Sequence, residues 1–446
     1  MSGLAGKKGG GGDPSILLEP SPDELARPGL RPASRPSPGT GRDHAVSKRS
    51  PHILLYGGFG IGNTGNDATL EVTLAGLRNR IPGAHFTVVA TDPAVVKANF
   101  GVPAVAIRRD LGDAPRWLKR IYKLIGELGG WVRTRRLIRS ADCLVIPGTG
   151  VFDDLFVTAA QHAYPMWTWC AAAKQAGVQV MFVSIGAGPV ERAWSRRLFG
   201  RIAAMADHRS YRDENSKTFV RDVLGVDVSK DTVTPDLVFG LDVATPPLRT
   251  SGKRTIGIGV MDYHTWGGEK GSADDIYDVY MQKLSTFCAD LLHQGHALHI
   301  LVGDVGDTPA ADDLRARLLK AAPQHSSLVT TARTPSLRDL YAEIGKTDAV
   351  IATRYHTVVG ALMCGRPAIS LGYAEKNRAV MADFGLAAYC QNIWDFDVAK
   401  LQTQLSEVLG NLPQASEPLR QVSDRLREAV WRHLDEIATL INGIGG

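Results

Sequence analysis

The chain has 446 residues, 44% hydrophobic and 22% charged, a balance typical of folded globular proteins of about two or three domains. Its formal net charge of +5 is too weak to indicate nucleic-acid binding, although it suits an anionic substrate or membrane surface. The sequence has no apolar run of the ~18 residues that a membrane-spanning helix needs and no apolar signal-peptide core. With five scattered cysteines and no C-x-x-C pair, we expect a cytoplasmic protein with free thiols.

The first half of the chain predicts a tail followed by an α/β domain. Residues 1–49 are rich in Gly, Pro, Ser and Arg, which predicts disorder. From His52, short apolar runs alternate with helical patterns, which indicates a parallel sheet over residues 50–240. The predicted strands are 52–56, 86–90, 142–146, 178–184 and 208–211, with the first helix at about 67–80.

A linker at 241–253 leads into a second α/β pattern over residues 254–446. Its predicted strands are 255–260, 299–302, 349–352 and 368–371, and its helices are 276–294, 310–320, 337–344, 357–364 and 419–441. Each half is long enough to bury a core of its own. The pattern therefore predicts two Rossmann-like domains that face a cleft.

Three glycine-rich loops follow predicted strands of the first domain, at 57–67, 147–154 and 184–189. The first spells G-x-G-x-x-G, with Asp92 where a dinucleotide-binding domain has its ribose-binding acid. Substrate contact, dinucleotide binding and a purely structural turn are all open for it. The candidate substrate-contacting residues of these loops are Gly58, Asn63, Gly65, Asn66, Asp67, Gly148, Gly150 and Asp153.

Cations and a histidine follow two consecutive buried strands of the second domain. Arg354 and His356 come after the first of these strands, and Lys376 comes after the second. Ligands of open α/β sheets bind in the crevice outside such strand ends. We therefore expect an anion pocket whose cations lower the pKa of His356 and keep it neutral for proton transfer. The alternative is a surface arginine and a core histidine.

Arg212 occupies a similar place in the first domain, just after the strand 208–211. Its guanidinium would bind a phosphate or carboxylate, or would only pair with a neighbouring acid such as Asp213. The sequence has no zinc-ligand spacing, no Walker motif and no G-x-S-x-G nucleophile elbow. We therefore expect neither a P-loop ATPase nor an α/β-hydrolase.

The stretch 116–139 is strongly basic and carries Trp117 and Trp131. Its apolar residues fall on one helical stripe, which fits a helix lying on an anionic membrane. A helix that covers the sheet and exposes a solvated basic face explains the same pattern.

Taken together, these segments resemble the polysaccharide pyruvyl transferase family over roughly residues 52–395. The most specific match is Arg354-Tyr-His356 with the following Tyr373-Ala-Glu-Lys376. Two departures lie in the glycine loops, where the family more often has Gly-Asp-Glu at 65–67 and a longer glycine run at 148–150. The other matching segments are the loop 57–67 with Ala68-Thr-Leu, the loop 148–154, Tyr211-Arg-Asp-Glu-Asn-Ser216, Thr234-Pro-Asp-Leu-Val-Phe239 and 367–373.

The resemblance implies a GT-B-like fold, phosphoenolpyruvate as donor and a sugar of a cell-surface polysaccharide, glycolipid or lipid-linked precursor as acceptor. The product would be a pyruvate ketal, formed without a metal or nucleotide cofactor. In this scheme His356 is the general acid/base, and Arg354 acts with it. Arg212, Tyr355 and Lys376 complete the donor site, and the residues of the first two glycine loops line the acceptor side.

Three other functions are open. A glycosyltransferase with a nucleotide-sugar donor would use the same fold, with Glu375 as the acid nearest the cation cluster. An oxidoreductase would use the first glycine loop for a dinucleotide. A non-catalytic relative would bind a sugar and scaffold an assembly complex.

Overall fold

The computed structural model describes residues 50–108, 127–153, 162–244, 246–248, 252–262 and 273–444. The predicted tail 1–49, the basic residues 116–126 and Asp154 lie outside these ranges. Within them the chain forms two parallel sheets covered by helices. The predicted class of two Rossmann-like α/β domains is therefore confirmed.

The first sheet has eight strands among the described residues, and all its pairings are parallel. The strands are β1 (His52–Gly57), β2 (His85–Ala90), β3 (Ala104–Ala106), β4 (Cys143–Pro147), β5 (Gly150–Phe152), β6 (Gln179–Ala187), β7 (His208–Tyr211) and β8 (Thr232–Val233). Their order is β3-β2-β1-β4-β6-β7-β8, with β5 beside β6. The helices are α1 (Thr64–Arg80), α2 (Pro93–Phe100), α3 (Glu127–Ile138), α4 (Ala163–Gln175), α5 (Ala193–Ala204) and α6 (Glu214–Asp222).

The second sheet has six parallel strands in the described part of the chain. They are β9 (Thr255–Gly259), β10 (Ala297–Val302), β11 (Val329–Arg333), β12 (Ala349–Ala352), β13 (Ala368–Gly372) and β14 (Cys390–Asn392), in the order β11-β10-β9-β12-β13-β14. The helices are α7 (Ala273–His293), α8 (Thr308–Ala321), α9 (Leu337–Ile344), α10 (Tyr355–Met363), α11 (Glu375–Asp383), α12 (Val398–Gly410) and α13 (Leu412–Gly443).

The central strands are buried because helices cover both faces of each sheet. In β1, Ile53 and Leu55 join the core beneath α1 and α13, while Leu54 and Tyr56 join the core beneath α4 and α5. Strand β12 is buried along its whole length. These cores fix the strand ends from which the candidate residues project.

The last helix, α13, returns from the second domain to pack on the first. It contacts α1 and α10, and a side chain on Gly76 of α1 would meet Leu434 at 2.6 Å. The 32-residue helix thus packs against both domains. No helix within the described ranges has both the length and the hydrophobicity needed to cross a bilayer.

Candidate active site

The strand order of each sheet reverses at one point, between β1 and β4 in the first and between β9 and β12 in the second. Such points form a crevice for ligands. The first glycine loop follows β1, and Arg354 follows β12, so the sequence-predicted residues lie at both points. The Thr64 hydroxyl donates to the Gly303 carbonyl at 2.9 Å and ties the two edges together.

The ring of His356 lies against the bare backbone of Gly65, at the start of α1. A Cβ atom on Gly65 would lie 2.6 Å from His356 Nε2 and closer still to Cε1 and Nδ1. Ordinary contacts of this kind are about 3.5–4.0 Å. The absence of a side chain at position 65 is therefore what admits the imidazole between the domains.

The pKa of His356 is lowered to about 4, mainly by burial. Asp236 opposes the shift, and Lys376, Arg212 and Arg354 add to it. The predicted cations thus all act on this one ring, in the expected direction, although burial contributes most. The imidazole is therefore in its neutral form at pH 7, and a pKa this low makes it a weak base in the free site.

Arg354 is held rigidly by a carboxylate that the sequence analysis did not identify. Its Nε and Nη2 donate to the two oxygens of Asp307 at 2.7 and 2.6 Å, which leaves Nη1 outside the pair. Asp307 is fully buried and also accepts from the Asp262 backbone N–H at 2.9 Å. Burial raises the pKa of Asp307, and the bonds from Arg354 counteract that rise. The pair fixes the guanidinium plane.

Arg212 is buried and enters the same cluster from the first domain. Its Nη1 donates to Asp236 at 3.2 Å, while Nε lies 3.5 Å from Asp213 and has no hydrogen-bond partner in the described part of the chain. A Cβ atom on Gly186 would come within 2.7 Å of the guanidinium. Gly186, which the sequence placed in a loop at 184–189, lies near the end of β6 and makes room for Arg212.

Tyr355 lies between the domains, and its ring makes cation–π contacts with two basic side chains. Its ring centroid is 5.3 Å from Arg212 Cζ and 5.7 Å from Lys376 Nζ, and Lys376 also lies 5.3 Å from the ring of Tyr373. Such contacts are each worth about 0.5–2 kcal/mol. Unlike both arginines, Lys376 forms no ion pair with a carboxylate among the described residues.

Two helix N-termini supply further positive character. Neither Arg354, which precedes α10, nor Ala374, which precedes α11, caps its helix with a side-chain hydrogen bond. The N–H groups of Thr357 and Asn377 donate to the carbonyls of Arg354 and Ala374, both at 3.1 Å, so an anion would meet the first two N–H groups of each helix. By contrast, Asn63 caps α1 and Asp213 caps α6.

The polar residues of the first glycine loop hold the loop itself together. Asn63 accepts from the Asn66 N–H at 3.2 Å, Asn66 donates to the Gly58 carbonyl at 3.0 Å, and Asp67 accepts from the Gly60 N–H at 2.9 Å. Burial raises the pKa of Asp67. These contacts support the structural-turn interpretation for three candidate acceptor residues.

Asp92, the candidate ribose-binding acid, caps α2 instead. It accepts from the N–H groups of Ala94 and Val95 at 3.0 and 3.2 Å. A Cβ on Gly60 would lie 2.6 Å from the Asp92 carbonyl. The Asp92 carboxylate is thus engaged as a helix cap, and the Asp92 backbone packs against Gly60 of the glycine loop.

The second glycine loop packs against α1 and against itself. Gly148 has a φ of +48°, and a Cβ there would meet the side chain of Thr69 in α1. A Cβ on Gly150 would meet the carboxylate of Asp153. Of the three candidates in this loop, Gly148 thus lies against α1, and Gly150 lies against Asp153.

Three further residues of the cluster, Asp307, Asp236 and Asn377, are not among the site residues predicted from the sequence, although Asp236 lies in the matching segment 234–239. Asp307 ends the loop after β10, and Asp236 lies in the Thr-Pro-Asp segment after β8. Asn377 is buried, donates to the Thr353 carbonyl at 3.1 Å, and keeps Oδ1 without a partner in the described residues. Their place in the sequence could have indicated them, because each of these residues follows the carboxyl end of a strand.

Solved structures with similar folds cover most of this chain at low identity. A UDP co-structure of MnaA from S. aureus has a TM-score of 0.58 and 14% identity, covering 88% of this chain and 97% of that chain. A UDP-GlcNAc 2-epimerase from Neisseria meningitidis bound to UDP-GlcNAc gives 0.54 and 14%, covering 85% and 100%. A glycosyltransferase from Rickettsia africae gives 0.53 and 12%, covering 89% and 98%. These similarities establish a GT-B-like fold.

No curated protein matches the chain. The family model described as polysaccharide pyruvyl transferase matches residues 63–375, which include Gly65, Arg212, Arg354 and His356. This span covers more than half of the chain and agrees with the resemblance found in the motifs. The chain therefore belongs to the polysaccharide pyruvyl transferase family.

Proposed function

We propose that the protein transfers the enolpyruvyl group of phosphoenolpyruvate to a sugar, forming a pyruvate ketal and releasing phosphate. The acceptor would be a cell-surface polysaccharide, a glycolipid or a lipid-linked precursor. The observation that supports this most is the convergence of Arg212, Arg354 and Lys376, from both domains, on the neutral His356. Phosphoenolpyruvate carries its phosphate and its carboxylate on the same central carbon, and two such neighbouring anions match two arginine forks and a lysine.

The atoms and charges of the proposed reaction balance. One sugar hydroxyl adds to the central carbon of phosphoenolpyruvate while the methylene carbon takes a proton and becomes a methyl group. The phosphate then leaves, and a second hydroxyl of the same sugar closes the ketal. Of the two hydroxyl protons, one offsets the proton placed on the methyl carbon, and the other leaves with phosphate.

His356 is our candidate for the proton transfers, because it is neutral in the free site. It would accept the proton of the attacking hydroxyl. A bound phosphoenolpyruvate anion would raise the pKa of the ring and allow it to return a proton to the methylene carbon. The uncapped N-terminus of α10 would stabilise the departing phosphate.

We place this reaction in the cytoplasm. All five cysteines are free, and four of them are buried. Free thiols persist in a reducing compartment.

Thermal unfolding with and without ligand tests the donor. A ligand at ~100 times its dissociation constant stabilises a protein by about 2.7 kcal/mol. We expect phosphoenolpyruvate to raise the melting temperature, and we expect Lys376→Ala to abolish that rise without unpairing a carboxylate. Arg378→Ala is the matched control, because it removes the same charge from an exposed position of α11.

The result has two readings. Loss of the effect in Lys376→Ala but not in Arg378→Ala would support the donor site. Stabilisation by a nucleotide sugar, and not by phosphoenolpyruvate, would overturn the chemistry in favour of a glycosyltransferase. If phosphoenolpyruvate does stabilise the protein, phosphate release in the presence of glycolipid extracts would identify the acceptor class. Loss of that release in Arg354→Ala and His356→Ala would assign it to this site.

A further inference from the structure

Helices α3, α4 and α5 pack side by side on the face of the first sheet opposite α1 and α13. Their segments 131–139, 163–175 and 192–204 hold nine Lys and Arg residues but no Asp or Glu. Glu127 begins α3, Glu191 borders α5 and Asp207 pairs with Lys174, which leaves an excess of six positive charges. Since the whole chain carries only +5, the rest of it is net negative. We call this surface the basic helical face.

The charges of the basic helical face point to solvent. Arg133 and Arg136 on α3 are exposed, as are Arg197 and Arg201 on α5. None of these four forms an ion pair within the part of the chain that the structure describes. The face is thus charged on its outside, whereas the arginines of the active site are paired and enclosed.

Exposed apolar side chains lie among these charges. Val132 on α3 is 65% exposed, Tyr164 on α4 37% and Trp194 on α5 46%. Tyr164 and Trp194 are the aromatic members of the exposed large apolar side chains in the described residues. Trp and Tyr prefer the headgroup layer of a bilayer, where one end of the ring is apolar and the other wet.

The aromatic residues also lie at the end of the helices nearest the cleft. In a parallel α/β sheet each helix runs opposite to the strands, so its N-terminus lies at the carboxyl edge of the sheet. Tyr164 is the second residue of α4, and Trp194 is the second residue of α5. Both therefore mark the rim of the edge that carries the candidate active site.

We infer that the basic helical face docks the protein on an anionic lipid bilayer. Arginines would neutralise lipid headgroups while Trp194 and Tyr164 enter the headgroup layer, a combination typical of interfacial binding. The cleft rim would then face the membrane, where a lipid-linked sugar would reach it. The positive charge of this face and the exposure of its aromatic side chains do not depend on the proposed pyruvyl transfer.

Vesicle flotation of the full chain tests the inference. We expect binding to vesicles that contain phosphatidylglycerol and not to pure phosphatidylcholine, with release at about 1 M NaCl, where the Debye length is ~3 Å. Each basic residue near such a surface contributes about 1 kcal/mol. Arg136→Glu/Arg197→Glu/Arg201→Glu should therefore weaken vesicle binding at least about a hundredfold.

The matched control is Arg315→Glu/Lys320→Glu/Lys400→Glu, which makes the same charge change on exposed helical positions of the second domain. It should retain vesicle binding, since both variants share the tail and the same net charge. Equal loss in the two triple variants would overturn the inference. So would binding that ignores lipid charge, or a preference for nucleic acid over vesicles in a competition assay.

Discussion

Replacing Gly65 with alanine should disable the site without unfolding the protein. The new Cβ would lie 2.6 Å from His356 Nε2, with Cε1 and Nδ1 closer still. To restore an ordinary contact of about 3.5 Å, the ring must retreat by at least ~1 Å or the domains must separate. A displacement of ~1 Å in a catalytic geometry can reduce the rate about a hundredfold.

Stability should change little, because alanine favours the helix by up to about 1 kcal/mol at a position inside α1. That gain offsets part of the cost of moving the ring. Gly410→Ala is the control, since a Cβ there meets nothing within 4 Å. It should keep both stability and activity.

Two measurements check the prediction for Gly65→Ala. Phosphate release from phosphoenolpyruvate should fall about a hundredfold. In proton NMR, the titration of the His356 Cε1–H should move from about pH 4 toward the ordinary histidine range as the ring leaves its buried position. The chain has 12 histidines, so His356→Gln is needed to assign the signal. Wild-type activity and an unchanged titration would refute the contact between ring and backbone.

Three other predictions concern the same cluster. Asp307→Ala should lower the free energy of unfolding in urea by about 3 kcal/mol, because it leaves Arg354 partly buried without its carboxylate; an unchanged value would show that the pair is not structural. In calorimetry, Tyr355→Leu should weaken phosphoenolpyruvate binding about tenfold while Tyr355→Phe keeps it, since the ring and not the hydroxyl faces the cations. The free energy of unfolding should fall as pH drops from about 6.5 to 4, by up to ~3 kcal/mol for His356, because the unfolded chain takes up the proton first. His356→Gln should flatten that dependence, and an equal slope in the variant would assign it to other groups.

The sequence predicted the central strands well, because central parallel strands are buried on both faces and appear as short apolar runs. It missed the edge strands β3, β8, β11 and β14 and the short β5. Residues 349–352 form β12 as expected. Helix starts were less accurate. The first helix begins at Thr64 and not near position 67, because Asn63 accepts the N–H bond that caps it. Helix α10 begins at Tyr355, two residues before the predicted start, because the chain turns directly after Arg354.

The carboxylates that pair with Arg354 and Arg212 could not be predicted from the sequence. Asp307 precedes Arg354 by 47 positions, and Asp236 follows Arg212 by 24. Those pairs depend on how separate loops meet after the strands have paired. The contact of His356 with Gly65 is more distant still, because it forms only when two independently cored domains come together.

The paired arginines explain how the proposed anion site stays intact when empty. Arg354 and Arg212 are both largely withdrawn from solvent, and an unpaired buried charge is costly. Their carboxylates remove that cost and fix the directions of the remaining N–H groups, at the expense of net positive charge. Attraction for the donor would then depend on Lys376, on directed guanidinium donors and on the helix N-termini. Phosphoenolpyruvate binding should therefore respond more to the removal of Lys376 or the displacement of a guanidinium than to ionic strength, and a steep loss of affinity with added salt would contradict this account.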